Sequence, residues 1–597
     1  MTGRSSIRLQ VMWNRLLAVV EEQAQTLIRT GFSTSTREAG DVSAGVFDLK
    51  GQMLAQAVTG TPGHINSMAL SVQHFLRVFP TASMREGDCY ITNDPWKGTG
   101  HLHDFVVVSP TFRNGRLLAL FACTCHVVDV GGIGMSPDGR QIFHEGLFVP
   151  IMPFAQEGEV NESLLAIVRG NVREPEQVVG DIFALAACNE AGSRRLLRLV
   201  DEVGIDDLDE LSRFIIDSTR AAMRGAIADL PGRKVHNSMT VDGYDEPITL
   251  QASLEARNGS IVVDYEGTSP ISRYGINCPK CYTDAYTAFG VKCVVAPNVP
   301  NNAGSLEAIK VLAPEGSIVN APHPCAVVAR STVGHMLPDV VFGCLHQLVP
   351  GRVPAEGTSC LWNLKLGSGH GLTSEQSKGS RPYMTMSFHS GGTGARPGAD
   401  GLNATPFPSG VRNVPAEVME VTTPVVIWRK ELRQNSGGAG RYRGGLGQII
   451  EVGSAEDAEF VLFATYDRLK NPPRGREGGT SGAAGRVSLA SGRALKGMGS
   501  QVIPRGDRLI VEMPGGGGYG DPLEREPDLV EQDVQQGYLD STEAELRYGV
   551  VLGDDQSIDD VATATTRSQR RNEQRSVEGD RPRSRVKGGK TKMKHHG

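Results

Sequence analysis

The sequence has no long apolar segment, which argues against two classes of protein. None of its 597 residues lies in a run of roughly 18 apolar residues, the length that a membrane-spanning helix needs. Residues 1–30 also lack the uninterrupted apolar stretch of a signal peptide. Their apolar positions Val11, Leu16, Val20 and Leu27 recur at helical intervals and predict an amphipathic helix packed against the protein. We therefore expect a cytoplasmic protein without a membrane partner.

The sequence also lacks a cysteine framework. Its ten cysteines are scattered, and several lie in apolar segments such as LFACTCHVV, where a small buried thiol fits. Cys278 and Cys281 form one C-x-x-C motif, but no second pair follows at the spacing of a zinc ribbon. We therefore expect reduced thiols rather than disulfides or a structural zinc site.

No phosphate-binding loop is found, so nothing in the sequence indicates that the chain binds ATP itself. The nearest match is GGKT at residues 588–591, and Ser584 stands where the first glycine of such a loop would be. This match lies in a basic segment, residues 567–597, with 11 basic and 3 acidic side chains. We expect a disordered appendage there, with weak attraction to anions or nucleic acid as the alternative.

Glycine and proline are abundant, at 72 and 33 residues, which indicates many turns and close approaches of the backbone. Alternating strand patterns, as in residues 41–56, are followed by helical spacing at 174–227, 282–296 and 335–350. We predict an α+β, multi-domain fold of mixed β-sheets and hairpins, with packed helices and many glycine-rich loops.

A β-hairpin is predicted around Asn114-Gly115, because this dipeptide is the strongest short turn sequence. If Asn114 and Gly115 form a two-residue loop, His103 lies opposite His126, and Asp104 follows His103 into the strand. The polar ends of both strands would then meet.

The mouth of this hairpin carries residue types that bind divalent metals. Four polar side chains gather there: His101, His103, Asp104 and His126. Neutral imidazoles and carboxylates suit zinc, manganese or iron, and an incomplete protein set leaves room for water. A further ligand is needed, for which Asp41 and Asp129 are candidates. The alternative is that the histidines only bind loop carbonyls at the polar end of a buried strand.

Changes of pattern along the chain predict three packed domains and a tail. The first boundary follows from the change back to strand patterns at Leu230-Pro231-Gly232. The predicted units are an N-terminal metal-site domain at 1–232, a central α/β domain at 233–420, a C-terminal glycine-rich β domain with terminal helices at 421–556, and a basic disordered tail at 557–597. The glycine-rich stretches 437–447 and 515–518 are expected to serve tight turns and domain packing.

Several segments, in the right order, resemble the hydantoinase B/oxoprolinase family. They are NDPWKGTGHLHDF, CHVVDVGG, HEGLFVP, APNVPNNAGSLEAIKVLAPEGSIVNA, NSGGAGRYRGGLG and MPGGGGYGDPLEREP. The chain is also similar to the large subunits of acetone and acetophenone carboxylases. The resemblance runs over residues 8–555 and leaves only the basic tail outside it.

The resemblance implies a set of four metal ligands. Carried onto this sequence, they are Asp41 in DVS, His101 and Asp104 in GHLHD, and His126 in HVVD. The resemblance favours His101 over the His103 of the hairpin pairing, because a loop one or two residues longer would shift that pairing. His103 is then expected beside the ligands or facing solvent.

Four other residues are expected near the site. Asp94, within Asn-Asp-Pro, would order the loop that enters it, and Asp129, before Gly131-Gly132, would lie behind the ligands or cap its loop. Glu145 and His64 are the candidate proton carriers.

The resemblance also implies a reaction divided between two subunits. In such enzymes an A subunit uses ATP to phosphorylate the oxygen of a lactam or imide, and the B subunit hydrolyses the activated C–N bond. An unstrained amide is a poor electrophile, and a metal lowers the pKa of bound water. We expect the B (β) subunit of a cytoplasmic, ATP-dependent cyclic amidohydrolase of the hydantoinase or 5-oxoprolinase type. It would bind zinc, manganese or iron and assemble with an ATP-binding A-type subunit.

Two alternatives stay open. The chain could be a subunit of an ATP-dependent ketone carboxylase, in which the same metal site would meet an enol phosphate and CO₂. It could also be a non-catalytic scaffold that stabilises the A subunit.

Overall fold

The structure, a computed structural model, describes residues 3–368 and 383–579. Its helices and four β-sheets confirm the predicted α+β, multi-domain architecture. None of the helices in these two stretches has both the length and the apolar character that crossing a bilayer requires.

The helices of the described residues begin and end as follows. They are α1 Gly3–Thr30, α2 Thr34–Arg37, α3 Pro62–Val78, α4 Ile142–Glu145, α5 Glu162–Asn171, α6 Pro175–Val203, α7 Asp209–Ala228, α8 Lys280–Val295, α9 Ala303–Leu306, α10 Ser331–Gly334, α11 Leu337–His346, α12 Ala416–Thr422, α13 Pro527–Gln535, α14 Ser541–Tyr548 and α15 Asp560–Gly579, with short 3₁₀ helices at Thr81–Ser83 and Pro522–Glu524.

The strands form four sheets, whose hydrogen-bonded orders are β2-β1-β5-β4-β3-β6-β7, β11-β10-β9-β8, β13-β12-β16-β18 and β14-β15-β19-β17. The strands are β1 Val42–Phe47, β2 Met53–Gln56, β3 Cys89–Thr92, β4 Asp104–Arg113, β5 Arg116–His126, β6 Met152–Gln156, β7 Glu159–Val160, β8 Lys234–Val241, β9 Ile248–Arg257, β10 Ser260–Asp264, β11 Ile309–Leu312, β12 Leu364–Gly367, β13 Met384–Ser387, β14 Val425–Leu432, β15 Gln448–Ser454, β16 Phe460–Thr465, β17 Arg486–Leu489, β18 Met498–Ile503 and β19 Leu509–Glu512.

Helix α1 is the amphipathic helix that the first residues predict. Leu16, Val20 and Leu27 are buried, the first two in a cluster with apolar side chains of α6 and α7. Val11 is 53% exposed, so its assignment to the buried face was wrong. The apolar stripe is narrower than the sequence pattern suggested, because polar residues of α1 flank it on both sides.

Strands β4 and β5 form the hairpin predicted from Asn114-Gly115. Both turn residues have positive φ, 52° and 75°, as a two-residue turn of this sequence requires. Next to the turn, Arg113 lies opposite Arg116, which is the pairing that a two-residue loop gives.

A β-bulge then changes the pairing along the rest of the hairpin. The register shifts by one residue between Thr111 and Phe112, so that Asp104, and not His103, lies opposite His126. The predicted pairing of His103 with His126 was therefore wrong, because the bulge leaves one extra residue, Leu118, in β5. Successive side chains of a strand point to opposite faces, so this single residue decides which side chain faces the site.

One sheet crosses a predicted domain boundary. Strands β12 and β13 precede residue 420, yet they share a sheet with β16 and β18, which follow it. The boundary that we predicted at residue 420 therefore does not separate two independent sheets.

Glycine-rich segments pack side by side in the second half of the chain. We call them the glycine-rich bundle, and they comprise residues 391–394, 436–447, 474–483 and 514–518. Within it, Gly516 N donates to Gly445 O at 2.9 Å, and Gly438 N donates to Gly516 O at 2.8 Å. None of the four glycines at 515–518 has positive φ, and a Cβ on Gly516 would overlap the carbonyl oxygen of Thr393. Close packing, rather than a tight turn, requires glycine here.

The last helix falls within the segment predicted as a disordered tail. Helix α15 covers Asp560–Gly579, and Arg567 Nε donates to Tyr548 O at 3.0 Å. The prediction of disorder was therefore wrong for this part, because Arg567 ties the helix to the body of the protein. The remainder of the basic tail, with GGKT, lies outside the described residues.

Candidate metal centre

The candidate metal centre forms where the β4–β5 hairpin meets the loop before it. His101 Nε2 is 2.8 Å from Asp104 Oδ1 and 3.2 Å from His126 Nδ1. His126 Nδ1 is 3.1 Å from Asp104 Oδ1. All three residues are buried, and among the described residues they form the one group of three side chains close enough to share a metal ion.

The protonation state of His101 leaves its Nε2 atom able to bind a cation. Its Nδ1 is 3.0 Å from the carbonyl oxygen of Val328, which can only accept, so Nδ1 carries the hydrogen. Burial, aided by the charge of Arg330, lowers the pKa of His101 to about 3, so the ring is neutral and Nε2 is a lone pair. That lone pair faces a carboxylate oxygen of Asp104. Two acceptors in contact need a proton or a cation between them.

A divalent metal fits this donor set. Two neutral imidazoles with a carboxylate suit zinc, manganese or iron. The carbonyl of Val328 holds the other ring nitrogen of His101, as the supporting groups of metal-binding histidines do. The residues present therefore match the group that the sequence implies.

Asp41 lies in the same pocket but outside the three-residue group. Its Oδ1 accepts a hydrogen bond from Thr61 Oγ1 at 2.8 Å and is 3.4 Å from His64 Nδ1. His64 Nε2 is 3.0 Å from Asp104 Oδ2, so the ring stands between two carboxylates. Burial would lower the pKa of His64, but the charges of Asp104 and Asp41 raise it. This position suits the proton-carrying role predicted for His64.

Asp104 is oriented by a buried ion pair. Arg330 Nη2 donates to its Oδ2 at 2.5 Å, and Thr99 Oγ1 donates to the same atom at 2.7 Å. Arg330 Nε in turn donates to Thr99 O at 2.9 Å. Burial alone would raise the pKa of Asp104, but the neighbouring histidines and Arg330 hold it well below its ordinary value. The carboxylate is therefore ionised and fixed in orientation.

Glu145 is not among the residues that line the pocket. Its Oε1 accepts from the backbone N–H groups of Val327 and Val328, at 2.7 and 2.9 Å. Burial raises the pKa of Glu145 to about 8, so the carboxyl is protonated at neutral pH. Glu145 thereby fixes the segment that carries the Val328 carbonyl and Arg330. This position favours a supporting role over the proton transfer that we predicted.

His103 is buried next to the cluster. Its ring stacks on that of His126, with centroids 5.3 Å apart and planes 10° apart. Its Nε2 has no hydrogen-bond partner in the described chain, and burial holds its pKa well below the ordinary value. The structure thus places His103 beside the cluster and away from solvent.

Asp94 and Asp129 shape loops and do not reach the cluster. Asp94 pairs with Lys97 at 3.1 Å and accepts a backbone N–H two residues further on. Asp129 pairs with Arg173 at 2.8 Å and accepts from Gly131 N at 3.0 Å. Their contacts order the two loops that lead to and from the hairpin.

The ten cysteines are free thiols. Cys278 Sγ donates to Arg330 O at 3.1 Å, and Cys281 Sγ donates to Pro95 O at 3.3 Å. The C-x-x-C motif therefore ties the segment of Arg330 and the Asn-Asp-Pro loop to the start of α8.

The wall opposite the cluster comes from β12 and β13. Asn363, Lys365, Met386 and Phe388 line the cavity there, and the Phe388 ring lies 6.5 Å from that of His126. The cavity between these walls measures about 50 Å³, which is room for a few water molecules. A sheet that spans the predicted boundary at residue 420 thus completes a site begun by the N-terminal sheet.

Sequence reasoning missed the residues that the second half of the chain contributes. Val328 and Arg330 lie in AVVARSTV, and Lys365 lies in NLKLG, segments without a known motif. The one sequence feature that could have indicated Arg330 and Lys365 is a single charged residue within an apolar segment. Such a residue is expected to be buried, and a buried charge needs a partner or a ligand.

Comparison with known proteins identifies the family of the chain. The family model Hydantoinase B/oxoprolinase matches residues 5–522. Over 595 residues the chain is 28% identical to the caprolactamase subunit beta of Pseudomonas jessenii, covering 94% of this chain and 99% of that relative.

Two solved structures share the fold. The crystal structure of ATP-dependent caprolactamase from Pseudomonas jessenii matches with a TM-score of 0.84 and 26% identity, over 94% of this chain and 99% of that one. A nucleotide-free acetone carboxylase matches with a TM-score of 0.82, over 95% of this chain and 83% of that one. Its identity is 20%, so this second likeness concerns the fold alone.

Proposed function

The chain belongs to the hydantoinase B/oxoprolinase family, and on that premise we propose that it is the B (β) subunit of an ATP-dependent cyclic amidohydrolase. Its partner would be an ATP-binding A-type subunit, which phosphorylates the oxygen of a lactam or imide. This chain would hydrolyse the activated C–N bond. The relative named caprolactamase subunit beta supports a small cyclic amide as the substrate class.

The observation that carries the proposal is the convergence of His101, Asp104 and His126 beside a buried pocket that the two histidines line. A lone pair of His101 faces a carboxylate oxygen there, an arrangement that a divalent cation would stabilise. Asp41 lines the same pocket and is our proposed fourth ligand, although it lies outside the three-residue group. No other group of this kind occurs in residues 3–368 and 383–579.

Each side chain then has a defined task. When bound, the metal would polarise a water and lower its pKa. Arg330 and Thr99 keep Asp104 ionised and oriented, and the Val328 carbonyl keeps the lone pair of His101 turned toward the centre. His64 would accept the proton released during attack, because two carboxylates flank it and raise its pKa.

The test uses this chain reconstituted with its A-type subunit. We expect the purified complex to contain one divalent metal per B chain and to open a lactam or hydantoin ring with consumption of ATP. His126→Ala removes a ligand without removing a partner of Arg330, and it should abolish metal binding and lower ring opening at least ~10³-fold. Retained metal and retained ring opening in this variant would overturn the proposal.

Two other results would replace the proposal. ATP turnover that depends on bicarbonate and a ketone, and not on a lactam, would identify a carboxylase subunit. A metal-free chain that only raises the thermal stability of the A subunit would identify a scaffold. Asp94→Asn is the matched control, since Asp94 shapes a neighbouring loop without touching the cluster.

A further inference from the structure

The proposed function leaves one charged side chain of the pocket unused. Lys365 lines the cavity and is only 7% exposed. Its ammonium has no hydrogen-bond or ion-pair partner among the residues that the structure describes, and no carboxylate acts on its pKa, which burial lowers to about 8. A buried charge without a partner destabilises the fold, so a ligand is the expected reason for keeping it.

A second polar group stands next to Lys365. Asn363 and Lys365 are two positions apart on an extended chain, so their side chains lie on the same face. Asn363 Nδ2 meets only the sulfur of Met386, at 3.7 Å. The strand therefore directs an ammonium and amide N–H groups, both donors, into one cavity.

The charges of the pocket favour an anionic ligand. Arg330 pairs with Asp104, which leaves Asp41 and Lys365 as the other carboxylate and ammonium at the pocket. A divalent cation at the histidine cluster would leave two positive charges in excess. A phosphoryl group with two negative charges would restore neutrality.

Resting on the proposed function, we propose that Lys365, assisted by Asn363, binds the phosphoryl oxygens of the activated cyclic amide. The ligand class is the imidoyl phosphate of a cyclic amide, delivered by the partner subunit. Water adds to its activated carbon, the C–N bond breaks as the amine takes up a proton, and a second water cleaves the resulting acyl phosphate to release inorganic phosphate. Lys365 thereby selects the phosphorylated substrate over the free lactam, which carries no charge. Its place in the same cavity as the histidines would hold the activated carbon near the proposed metal ligands.

A second buried lysine provides a matched control. Lys292 is 8% exposed, and burial likewise lowers its pKa to about 8. Its Nζ, however, donates to Val299 O, Pro300 O and Ser305 Oγ at 3.1, 3.3 and 3.0 Å. The two lysines thus differ in whether the protein itself supplies their partners.

The binding test measures the affinity of the metal-loaded, full-length chain for inorganic phosphate by titration calorimetry. We expect phosphate to bind, Lys365→Met to weaken it at least tenfold, Lys365→Arg to weaken it less, and Lys292→Met to leave it unchanged. Asn363→Ala should weaken binding independently, so the test does not depend on one variant. No binding by the wild type, or equal affinity in Lys365→Met, would overturn the proposal.

The activity test separates this proposal from the proposed function. In the reconstituted complex, Lys365→Met should lower kcat/KM for ring opening at least tenfold at unchanged metal content. If ring opening is unaffected, the role of Lys365 is refuted while the proposed function stands. If phosphate binds through Lys365 but no cyclic amide is opened with any A-type subunit, the proposed function fails and the oxyanion site remains.

Discussion

In the glycine-rich bundle the buried backbone groups pair with one another, whereas the metal pocket keeps buried side-chain atoms without partners. The amide groups of the four glycines at 515–518 all donate to carbonyls of neighbouring segments. Around the pocket, His103 Nε2, His126 Nε2 and His335 Nδ1 are buried without a hydrogen bond in the described chain, and Lys365 has no partner there.

This difference separates groups that build the fold from groups that await a ligand. An unpaired buried polar atom lowers stability, so several of them around one cavity are retained for another purpose. The bundle contains glycine at many positions because its chains touch through their backbones. The pocket is therefore where we propose that the chemistry takes place, whereas the bundle serves packing.

The largest expected effect is in the bundle. Gly516→Ala would place a Cβ against the carbonyl oxygen of Thr393, and the backbone of the whole bundle would have to move. We expect a loss of ~5 kcal/mol or more, enough to prevent folding. Solubility and far-UV circular dichroism provide the readout.

Gly225→Ala is its control, because Gly225 lies in α7 with open space around it. This change should stabilise the helix by about 0.5–1 kcal/mol. A soluble, native Gly516→Ala protein would contradict the view that backbone contact fills the bundle.

The second effect concerns the ion pair of the pocket. Asp104→Asn leaves the guanidinium of Arg330, which is 3% exposed, without its anionic partner. Breaking a buried pair in this way costs roughly 3–5 kcal/mol, measured by chemical denaturation. Wild-type protein treated with a chelator is the control, because it loses the metal and keeps the pair. If Asp104→Asn and the chelator-treated wild type are equally stable, Asp104 stabilises the protein only by binding the metal and not by pairing with Arg330.

The smallest effect is the pH dependence that Glu145 contributes. Its pKa is about 8 in the folded chain against 4.5 in the unfolded one, so the folded state binds the additional proton. The contribution of Glu145 to the free energy of unfolding is fully present below pH 4.5 and is lost as the pH rises toward 8. Glu145→Gln keeps the acceptor for the two amides and cannot ionise. The free energy of unfolding of the variant should match that of wild type at pH 4.5 and exceed it by roughly 1–3 kcal/mol at pH 7. If the free energies of unfolding of the two proteins change in parallel with pH, this assignment is refuted.

Much of the fold follows from local sequence signals. The Asn114-Gly115 turn appears where the sequence predicts it. The bulge at Leu118 of β5, between the partners of Thr111 and Phe112, could not be predicted. Leu118 is an ordinary strand residue, and nothing local marks it as an extra position. One residue of shift was enough to replace His103 by Asp104 opposite His126.

The candidate site also contains residues that the sequence predicts and residues that it does not. His101, Asp104 and His126 belong to recognisable segments, and the hairpin alone brings two of these segments together. Arg330 is 226 positions from Asp104, and only the packed tertiary structure brings them into contact. Long-range pairs of this kind depend on how the sheets pack, which no local pattern encodes.

The short segment Val327–Arg330 has a consequence for any attempt to divide the protein. It supplies the carbonyl that fixes the His101 tautomer and the guanidinium that neutralises Asp104, while Glu145 fastens it from the N-terminal half. A fragment ending at residue 232 would retain every expected metal ligand but lose the segment Val327–Arg330, which orients His101 and Asp104. We therefore expect the isolated N-terminal fragment to be a weak, unselective chelator, since the proposed metal site depends on the intact chain.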